Sequence, residues 1–117
     1  MMDGEMFFTI VGFKNYHGLK PFKVGGLLKL IKDKVNAYDD EAIAVEMRYA
    51  GKVGYVGNST NTVFRGTMSA GRLYDKIADE GYAQIKFIGQ NSAIGKILSK
   101  EEVDILKEDP DCDFYYI

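Results

Sequence analysis

The fold is decided by a stretch in which a polar corner runs directly into a β-strand: Val35-Asn36-Ala37-Tyr38-Asp39-Asp40-Glu41-Ala42-Ile43-Ala44-Val45. Asn and Asp favour turns because their side chains bond to nearby backbone, and the residues from Ile43 onward alternate with the period of two of a half-buried strand. Functional side chains often lie on loops fixed by such a scaffold, although most polar corners are ordinary turns. The candidate functional residues of the corner are Asn36, Tyr38 and Asp39.

The composition is typical of one compact domain that spans residues 1–117. Of the 117 residues, 46% are hydrophobic and 27% are charged, which is enough for an ordinary core but leaves no room for a second domain. Eight Tyr, seven Phe and thirteen Gly indicate many tight connections, as in all-β or α+β folds.

The sequence contains no recognisable targeting segment or metal motif. The longest early apolar run, residues 6–13, is flanked by acidic residues and a lysine, so it fits neither a signal peptide nor a membrane span. We therefore expect a cytoplasmic protein without membrane association. The single Cys112 cannot form an internal disulfide, and with the single His17 it cannot build a zinc site of the usual Cys/His type.

The net charge of −2 hides a segregation of charge along the chain. Residues 14–34 contain six lysines and one aspartate, a net charge of +5, whereas residues 101–117 contain seven acids and one lysine, a net charge of −6. A basic stretch next to a polar corner could hold phosphates. The alternative, which the spacing favours, is that Lys29 and Lys32 lie on the solvated face of a strand.

Strands are predicted from alternating apolar residues. The predicted segments are Phe7–Phe13, Lys23–Lys32 with a bulge or sharp bend at Gly25-Gly26, Ala42–Tyr49 paired with Lys52–Val56 across Ala50-Gly51, and Tyr82–Ile88. Two further segments are Asn91–Leu98, which fits either a strand or a loop, and Phe114–Ile117, which fits a last strand docked on the sheet.

Two helices are predicted from capping residues and helical spacing. Ser69 begins a helix whose inward stripe is Ala70, Leu73, Tyr74 and Ile77 and which ends at Gly81. Ser99 and Glu102 form a capping box for a second helix, which directs Val103 and Leu106 inward and is limited by Pro110. The sum is a mainly β (α+β) fold: a small antiparallel β-barrel, open or closed, of five to six strands with two helices packed outside.

No catalytic pattern emerges from the sequence. The acids of Asp39-Asp40-Glu41 are consecutive and would point to opposite faces of a strand, so they do not easily converge on one metal ion. His17 has no nucleophile near it in sequence, and Cys112 lies in an acidic run that disfavours its thiolate. Gly54-Tyr55-Val56-Gly57-Asn58 lacks the Lys-Ser/Thr ending of a P-loop. We expect no enzyme activity, cofactor or metal.

What remains is a set of residues suited to binding. Lys14, Asn15 and Tyr16 follow the first strand, and Asn36, Tyr38 and Asp39 precede the third. In a small barrel these two loops can be adjacent. Tyr rings can stack on bases, Lys can contact phosphate, and Asp can accept a hydrogen bond from a sugar hydroxyl. Packing of the tyrosines against the core is the equally weighted alternative.

The order of these residues resembles the HIRAN domain family. The resemblance covers about residues 7–78 and is carried by four blocks: Ile10-Val11-Gly12-Phe13-Lys14-Asn15-Tyr16, Val24-Gly25-Gly26-Leu27-Leu28-Lys29-Leu30, the corner with its strand, and Lys52-Val53-Gly54-Tyr55-Val56. The third block is the most specific, being similar to that family's Asn-x-Tyr-Asp-x-x-Ala-Ile-x-Val. The resemblance implies an OB-like barrel that captures single-stranded DNA at a free 3′ end. In larger members the domain is fused to helicase-like ATPases of DNA repair and fork remodelling, whereas bacterial members can stand alone.

By position, the resemblance assigns roles to individual residues. Asp39 would hold the terminal 3′-hydroxyl with help from Tyr16, and Tyr38 would pack against the terminal base beside Asn36. Lys14 would bind a phosphate. The remaining assigned positions are Tyr55, where members often have a phosphate contact, and Asn58, near a position that is basic in DNA-binding members.

The sequence also departs from the family pattern. Asn15 stands where an aromatic residue helps to stack the base, Ala37 replaces a usual Pro, and the basic contact near Asn58 is missing. The loss of one stacking ring removes about 1–3 kcal/mol of binding free energy. We therefore expect weakened or retuned binding.

Two functions follow from these observations. The first is a non-enzymatic module for single-stranded DNA 3′ ends in repair or replication-fork processing, with a helicase-like ATPase or other repair protein as partner. The alternative is a protein-interaction module that keeps the barrel but has lost DNA binding, as the pI of about 5.4, Asn15 and the acidic C-terminal stretch suggest. A hydrolase ranks third.

Overall fold

Six antiparallel strands of the described residues close into one barrel. The computed structural model describes residues 6–36, 41–47, 50–58, 66–90 and 92–108. The strands are β1 (Phe7–Val11), β2 (Leu27–Lys32), β3 (Ile43–Met47), β4 (Gly51–Val56), β5 (Glu80–Ile88) and β6 (Ala93–Ile97). A 3-10 helix (Phe13–Asn15) follows β1, and the α-helices are α1 (Ala70–Tyr74) and α2 (Lys100–Lys107). No helix in these residues is both long and apolar enough to cross a membrane.

The strand order around the barrel is β1-β4-β3-β2-β5-β6, and pairing of β6 with β1 closes the ring. The strands β2, β3 and β4 follow each other as neighbours, whereas β1 lies between two strands that come later in the chain. The predicted small antiparallel barrel with two helices is confirmed. The segment Asn91–Leu98, for which the sequence allowed a strand or a loop, contains β6.

Apolar side chains fill the interior of the barrel. Its largest fully buried side chains are Phe8, Ile10, Leu28, Leu30, Ile43, Val45, Val53, Leu73 and Ile85. At the seam between β1 and β6, Phe8 is the direct partner of Gly95. A Cβ atom at Gly95 would lie 2.5 Å from the Phe8 Cζ atom, so the ring occupies the space that a side chain of β6 would need.

Glycines shorten the first two predicted strands. β1 ends at Val11 because Gly12 adopts a left-handed conformation, with φ of 72°, and starts the 3-10 helix. The sequence allowed a bulge or a sharp bend at Gly25-Gly26 within the second strand, but both glycines precede β2 and form a turn there. Gly25 has φ of 88° and donates to the Ile85 carbonyl, and Gly26 closes a turn by donating to the carbonyl of Lys23.

The predicted hairpin between the third and fourth strands is confirmed, with Gly51 in the left-handed region at its turn. Arg48 and Tyr49 lie outside the described residues. By the period of two, Ala44 belongs on the face opposite to Ile43 and Val45, where an exposed side chain is expected, yet it is buried. Its larger cross-strand partners, Ile31 and Tyr55, flank this small side chain on both sides.

The first α-helix is shorter than the sequence predicted. Ser69 caps it as expected, since its hydroxyl accepts the Arg72 backbone N–H. The helix ends at Tyr74, however, and Ile77 packs on the core from the turn that follows. Gly81 does not end the helix but lies within β5 opposite Leu30.

The second α-helix begins as predicted. The Ser99 hydroxyl accepts the Glu102 N–H, and the Glu102 carboxylate accepts the Ser99 N–H, each at 3.1 Å. Val103 is buried, and Leu106 packs beside it against the cluster formed with Leu27 and Leu98. The predicted stop at Pro110 and the predicted last strand, Phe114–Ile117, lie outside the described residues.

Replacing Gly95 by Ala should lower the free energy of unfolding by about 1–3 kcal/mol, because the new methyl group collides with the Phe8 ring. Urea denaturation followed by circular dichroism measures this loss. The matched control is Gly81→Ala in β5, whose methyl group would meet the Ile77 Cβ atom at 4.0 Å, an ordinary contact distance. Equal stability of the two variants would contradict the proposed packing at the β1–β6 seam.

Candidate functional site

The base of the polar corner is held closed by Asp33. Its backbone N–H donates to the Ala42 carbonyl at 2.8 Å, which extends the β2–β3 pairing by one hydrogen bond beyond Lys32 and Ile43. Asn36 folds back onto the same residue, with its backbone N–H 3.3 Å from the Asp33 carbonyl and its side-chain amide 3.5 Å from Oδ2. Hydrogen bonds to Asp33 therefore hold both the backbone and the side chain of Asn36 at the start of the corner.

The two most specific candidates of the corner, Tyr38 and Asp39, lie outside the described residues. Their neighbours in sequence are described on both sides. Asn36 is joined to Asp33, and the carboxylate of Glu41 reaches the start of α1, where a Cβ atom at Gly71 would lie 2.7 Å from its Oε1 atom. Asn36 and Glu41, the described residues on either side of Tyr38 and Asp39, thus each contact another element of the fold.

A hydrogen-bonded chain connects the corner to β4. The Tyr55 hydroxyl donates to Asp33 Oδ2 at 2.9 Å and accepts from Lys52 Nζ at 2.9 Å. The Lys52 ammonium also lies 5.0 Å from the centroid of the Tyr55 ring. We refer to Asp33, Tyr55 and Lys52 as the Asp33–Tyr55–Lys52 chain.

Each member of this chain affects the ionisation of the others. The hydrogen bond from Tyr55 lowers the pKa of Asp33, so the carboxyl group is ionised at neutral pH. The hydrogen bond to Tyr55 raises the pKa of Lys52, which stays a cation. For Tyr55, the Lys52 hydrogen bond is the largest influence and lowers the pKa, but burial and the bond to Asp33 outweigh it and the net shift is upward. The phenol therefore remains a neutral donor between a cation and an anion.

The loop after β1 lies beside this chain. Phe13 is buried and packs edge-on against Phe22 at a centroid distance of 6.2 Å, while Lys14 and Asn15 are exposed. His17 Nε2 lies 2.9 Å from the carbonyl oxygen of Ala50, which ties the loop to the β3–β4 turn.

Tyr16 is the exposed aromatic residue of this loop, with 41% of its surface accessible. The hydrogen bond to Tyr55 is the main cause of the raised pKa of Lys52, and the phenol of Tyr16 contributes to it at longer range. This contribution relates Tyr16 to Lys52 on β4, whereas a joint site of Tyr16 with the corner stays a prediction.

Asn58, the last predicted site residue, contacts α1. Its Oδ1 atom accepts the Gly71 backbone N–H at 2.9 Å. Gly57 supports the same junction, because its carbonyl accepts the N–H of Ala70. Asn58 thus lies where the end of β4 meets the start of α1.

Three of the basic residues from the charged stretch already have partners on neighbouring elements. Lys29 lies 3.4 Å from Glu80 and Lys34 lies 2.7 Å from Asp79, while the Lys32 ammonium lies 4.5 Å from the Tyr74 ring centroid. The positive charge of residues 14–34, which could have served a phosphate site, is therefore partly neutralised by Asp79 and Glu80 at the start of β5.

Asp33 and Lys52 were not among the residues predicted from the sequence: Asp33 receives its hydrogen bond from a residue 22 positions away, and Lys52 is turned outward by a bulge in β4. In a regular strand, residues 52 and 55 point to opposite faces. Here the pairing shifts, with Gly54 opposite Val45 but Lys52 opposite Glu46, so Val53 is an extra residue and Lys52 joins Tyr55 on the outer face. The glycine at position 54 was the one available signal, since a glycine within a strand often marks a bulge or a close backbone approach. A Cβ atom there would lie 2.7 Å from the Val11 carbonyl oxygen.

A separate cleft of about 880 Å³ lies between α2, the strands β5 and β6, and the turn before β5. Tyr82, Leu98 and Val103 contribute apolar surface to it, and lysines such as Lys76 and Lys100 contribute positive charge. None of the Asp33–Tyr55–Lys52 chain lines this cleft. Within the described residues, no group of three His, Cys, Asp or Glu side chains is placed to hold a metal ion.

The closed antiparallel barrel with its two helices is a barrel of the OB-like kind. The family model of the HIRAN domain matches residues 3–80, well over half of the chain, and the chain therefore belongs to the HIRAN domain family, a family of DNA-binding rather than catalytic domains.

Two solved structures are similar to this chain. A protein from Lactobacillus plantarum is 19% identical with a TM-score of 0.55, and the match covers 80% of this chain and 93% of that one. The HIRAN domain of human HLTF is 20% identical with a TM-score of 0.55, and the match covers 90% of this chain and 84% of that one. At these identities the likeness concerns the fold. No curated protein sequence matches this chain.

Replacing Tyr55 by Phe should raise the pKa of Asp33, because the hydrogen bond that chiefly stabilises its carboxylate is removed. NMR titration of the side-chain carboxyl carbon measures the change. In the wild type, the lowered pKa means that this carboxylate stabilises the folded state at pH values above the pKa of Asp in the unfolded chain. This contribution is lost as the pH falls through the pKa of Asp33 in the folded state.

Asp79 serves as the control in the same titration. Its pKa is lowered by the hydrogen bond from Lys34, which does not involve Tyr55, so it should be unchanged in the Tyr55→Phe variant. Asp33 titrating identically in both proteins would contradict the hydrogen bond.

Proposed function

We propose that this domain binds single-stranded DNA at a free 3′-hydroxyl end and performs no catalysis. The observation that carries the proposal is the Asp33–Tyr55–Lys52 chain, which connects the Lys52 ammonium to the Asn36 amide at the base of the corner, together with the exposed Tyr16 ring in the loop after β1. OB-like barrels bind oligonucleotides on such a combination of strand face and loops. Membership of the HIRAN domain family supports DNA as the ligand.

The chemistry of the groups supports a single strand. Aromatic rings stack on any base and contribute about 1–3 kcal/mol per base, and lysines bind the phosphate backbone. A duplex keeps its bases stacked inside, where Tyr16 could not reach them. The absence of an aromatic side chain at Asn15 leaves fewer stacking surfaces, so binding should be modest.

Recognition of the strand end is assigned to Asp39. A free 3′-hydroxyl donates a hydrogen bond to a carboxylate, whereas a phosphate at that position offers no donor at neutral pH and is repelled by it. Tyr38 would pack on the terminal base beside Asn36, and Lys14 would bind a phosphate from the loop after β1. Tyr55 and Asn58 complete the proposed set of residues. We further propose a cytoplasmic role in DNA repair or fork processing, with a helicase-like ATPase or other repair protein as partner.

A 3′-phosphorylated oligonucleotide should bind about tenfold or more weakly than the same strand with a 3′-hydroxyl, since a hydrogen bond to a charged group contributes about 1.5–3 kcal/mol. Fluorescence anisotropy with 5′-labelled strands measures both affinities. Equal affinity for the two strands, or binding of neither, would rule out end capture.

Two variants separate end recognition from general attraction. Asp39→Ala should remove the difference between the two strands. Lys14→Ala should instead weaken binding of the 3′-hydroxyl and the 3′-phosphorylated strands by the same factor and reduce the dependence of affinity on salt. It removes one phosphate contact and leaves the contacts to the strand end in place.

A protein-interaction module is the second candidate. The ion pairs of Lys29 with Glu80 and of Lys34 with Asp79 favour it, because they reduce the charge available to a nucleic acid. If this domain is such a module, it should bind no DNA even at low salt, and a pull-down experiment with the domain as bait should recover a protein partner.

A further inference from the structure

Lys52 lies on β4 within the proposed DNA-binding surface. Its strand neighbour Tyr55 connects it to Asp33 and the base of the corner, and Tyr16 lies close enough to contribute to its raised pKa, the main cause of which is the Tyr55 hydrogen bond. The stem of Lys52 is carried by a strand rather than by a loop. Its position is therefore more constrained than that of Lys14, which is exposed in the loop after β1.

The Tyr55 hydroxyl fixes the direction of the Lys52 ammonium. A phenol has one proton, and in Tyr55 that proton is donated to the ionised carboxylate of Asp33. The phenol oxygen then accepts from Lys52 at 2.9 Å. Because its proton is already used, Tyr55 is suited to orient the lysine and not to donate to a phosphate itself.

The ammonium of Lys52 retains binding capacity after this contact. A lysine has three N–H donors, and one is directed to Tyr55. In the described part of the chain, no carboxylate forms a direct ion pair with Lys52, in contrast to Lys29, Lys34 and Lys96. Asp33, the anion of the chain, acts on it through the phenol.

The bulge in β4 makes this arrangement possible. It rotates Lys52 onto the outer face beside Tyr55, and Gly54, next to the bulge, permits the close approach of β4 to the Val11 carbonyl. A group held in its binding geometry before the ligand arrives loses less entropy on binding.

We propose that Lys52 binds one phosphodiester group of the bound strand and that Tyr55 and Asp33 are positioning residues that hold the ammonium in place. This inference rests on the proposed function, because it assigns a ligand contact within the same surface. It differs from the expectation for Tyr55 drawn from the family resemblance, since the phosphate ligand is the lysine three residues earlier in the strand.

A scan with methylphosphonates tests the assignment. Each oligonucleotide carries a 3′-hydroxyl and one neutral methylphosphonate linkage, and its affinity for the 117-residue chain is compared with that of the unmodified strand. For the wild type, a methylphosphonate at one particular linkage should lower the affinity about tenfold, because the charged hydrogen bond from Lys52 to that phosphate is lost. Lys52→Met should bind the unmodified strand about tenfold more weakly and show no further loss at that linkage.

Two variants distinguish positioning from charge. Tyr55→Phe keeps the lysine and the ring, so it should reduce the effect at the same linkage while changing the salt dependence little. Lys52→Met should lower the slope of log affinity against log salt by about 0.7 for a single strand. Lys86→Met, at an exposed lysine of β5, is the matched control and should leave the profile of the scan unchanged.

The outcomes separate the two proposals. If the wild type binds no oligonucleotide, both the proposed function and the role of Lys52 are overturned. If the wild type binds but Lys52→Met remains as sensitive as the wild type to every methylphosphonate, the role of Lys52 alone is overturned. If Tyr55→Phe behaves as the wild type at the sensitive linkage, the positioning role is overturned.

Discussion

Closure of the barrel at the β1–β6 seam is the constraint on which the rest of the structure depends. Phe8 of β1 covers Gly95 of β6, and β1 pairs on its other side with β4. This double pairing holds the end of β1 against β4, so the turn at Gly12 delivers the following loop to the surface of that strand. Tyr16 reaches the candidate site for this reason.

The candidate site is a second level of organisation built on that closure. The β4 bulge turns Lys52 outward beside Tyr55, and Tyr55 connects the strand to Asp33 at the base of the corner. An anion and a cation thus share one neutral phenol. Such an arrangement supplies a fixed positive group for a phosphate while keeping a rigid anchor for the corner, where recognition of a strand end is proposed.

Sequence patterns predicted the fold because its main features are local. Alternation of apolar residues marked the strands, and Ser69 and Ser99 marked both helix starts. Strand ends were less certain, since the left-handed glycines at 12 and 25 act through backbone conformation that alternation does not report. The hydrogen bond from Tyr55 to Asp33 joins residues 22 positions apart, which no local pattern indicates. The register shift in β4 breaks the period of two, so the sequence did not indicate that Lys52 and Tyr55 share a face. Tyr38 and Asp39 remain predictions from the resemblance.

The most direct measurement for the proposed interface is an NMR titration of ¹⁵N-labelled protein with a 3′-hydroxyl single-stranded oligonucleotide. Backbone amide shifts should change most at Tyr16, Asn36, Lys52 and Tyr55, and should change little at Val103, which lines the cleft beside α2. Shift changes concentrated around that cleft, or none at all, would contradict a DNA-binding surface on β4 and its adjoining loops.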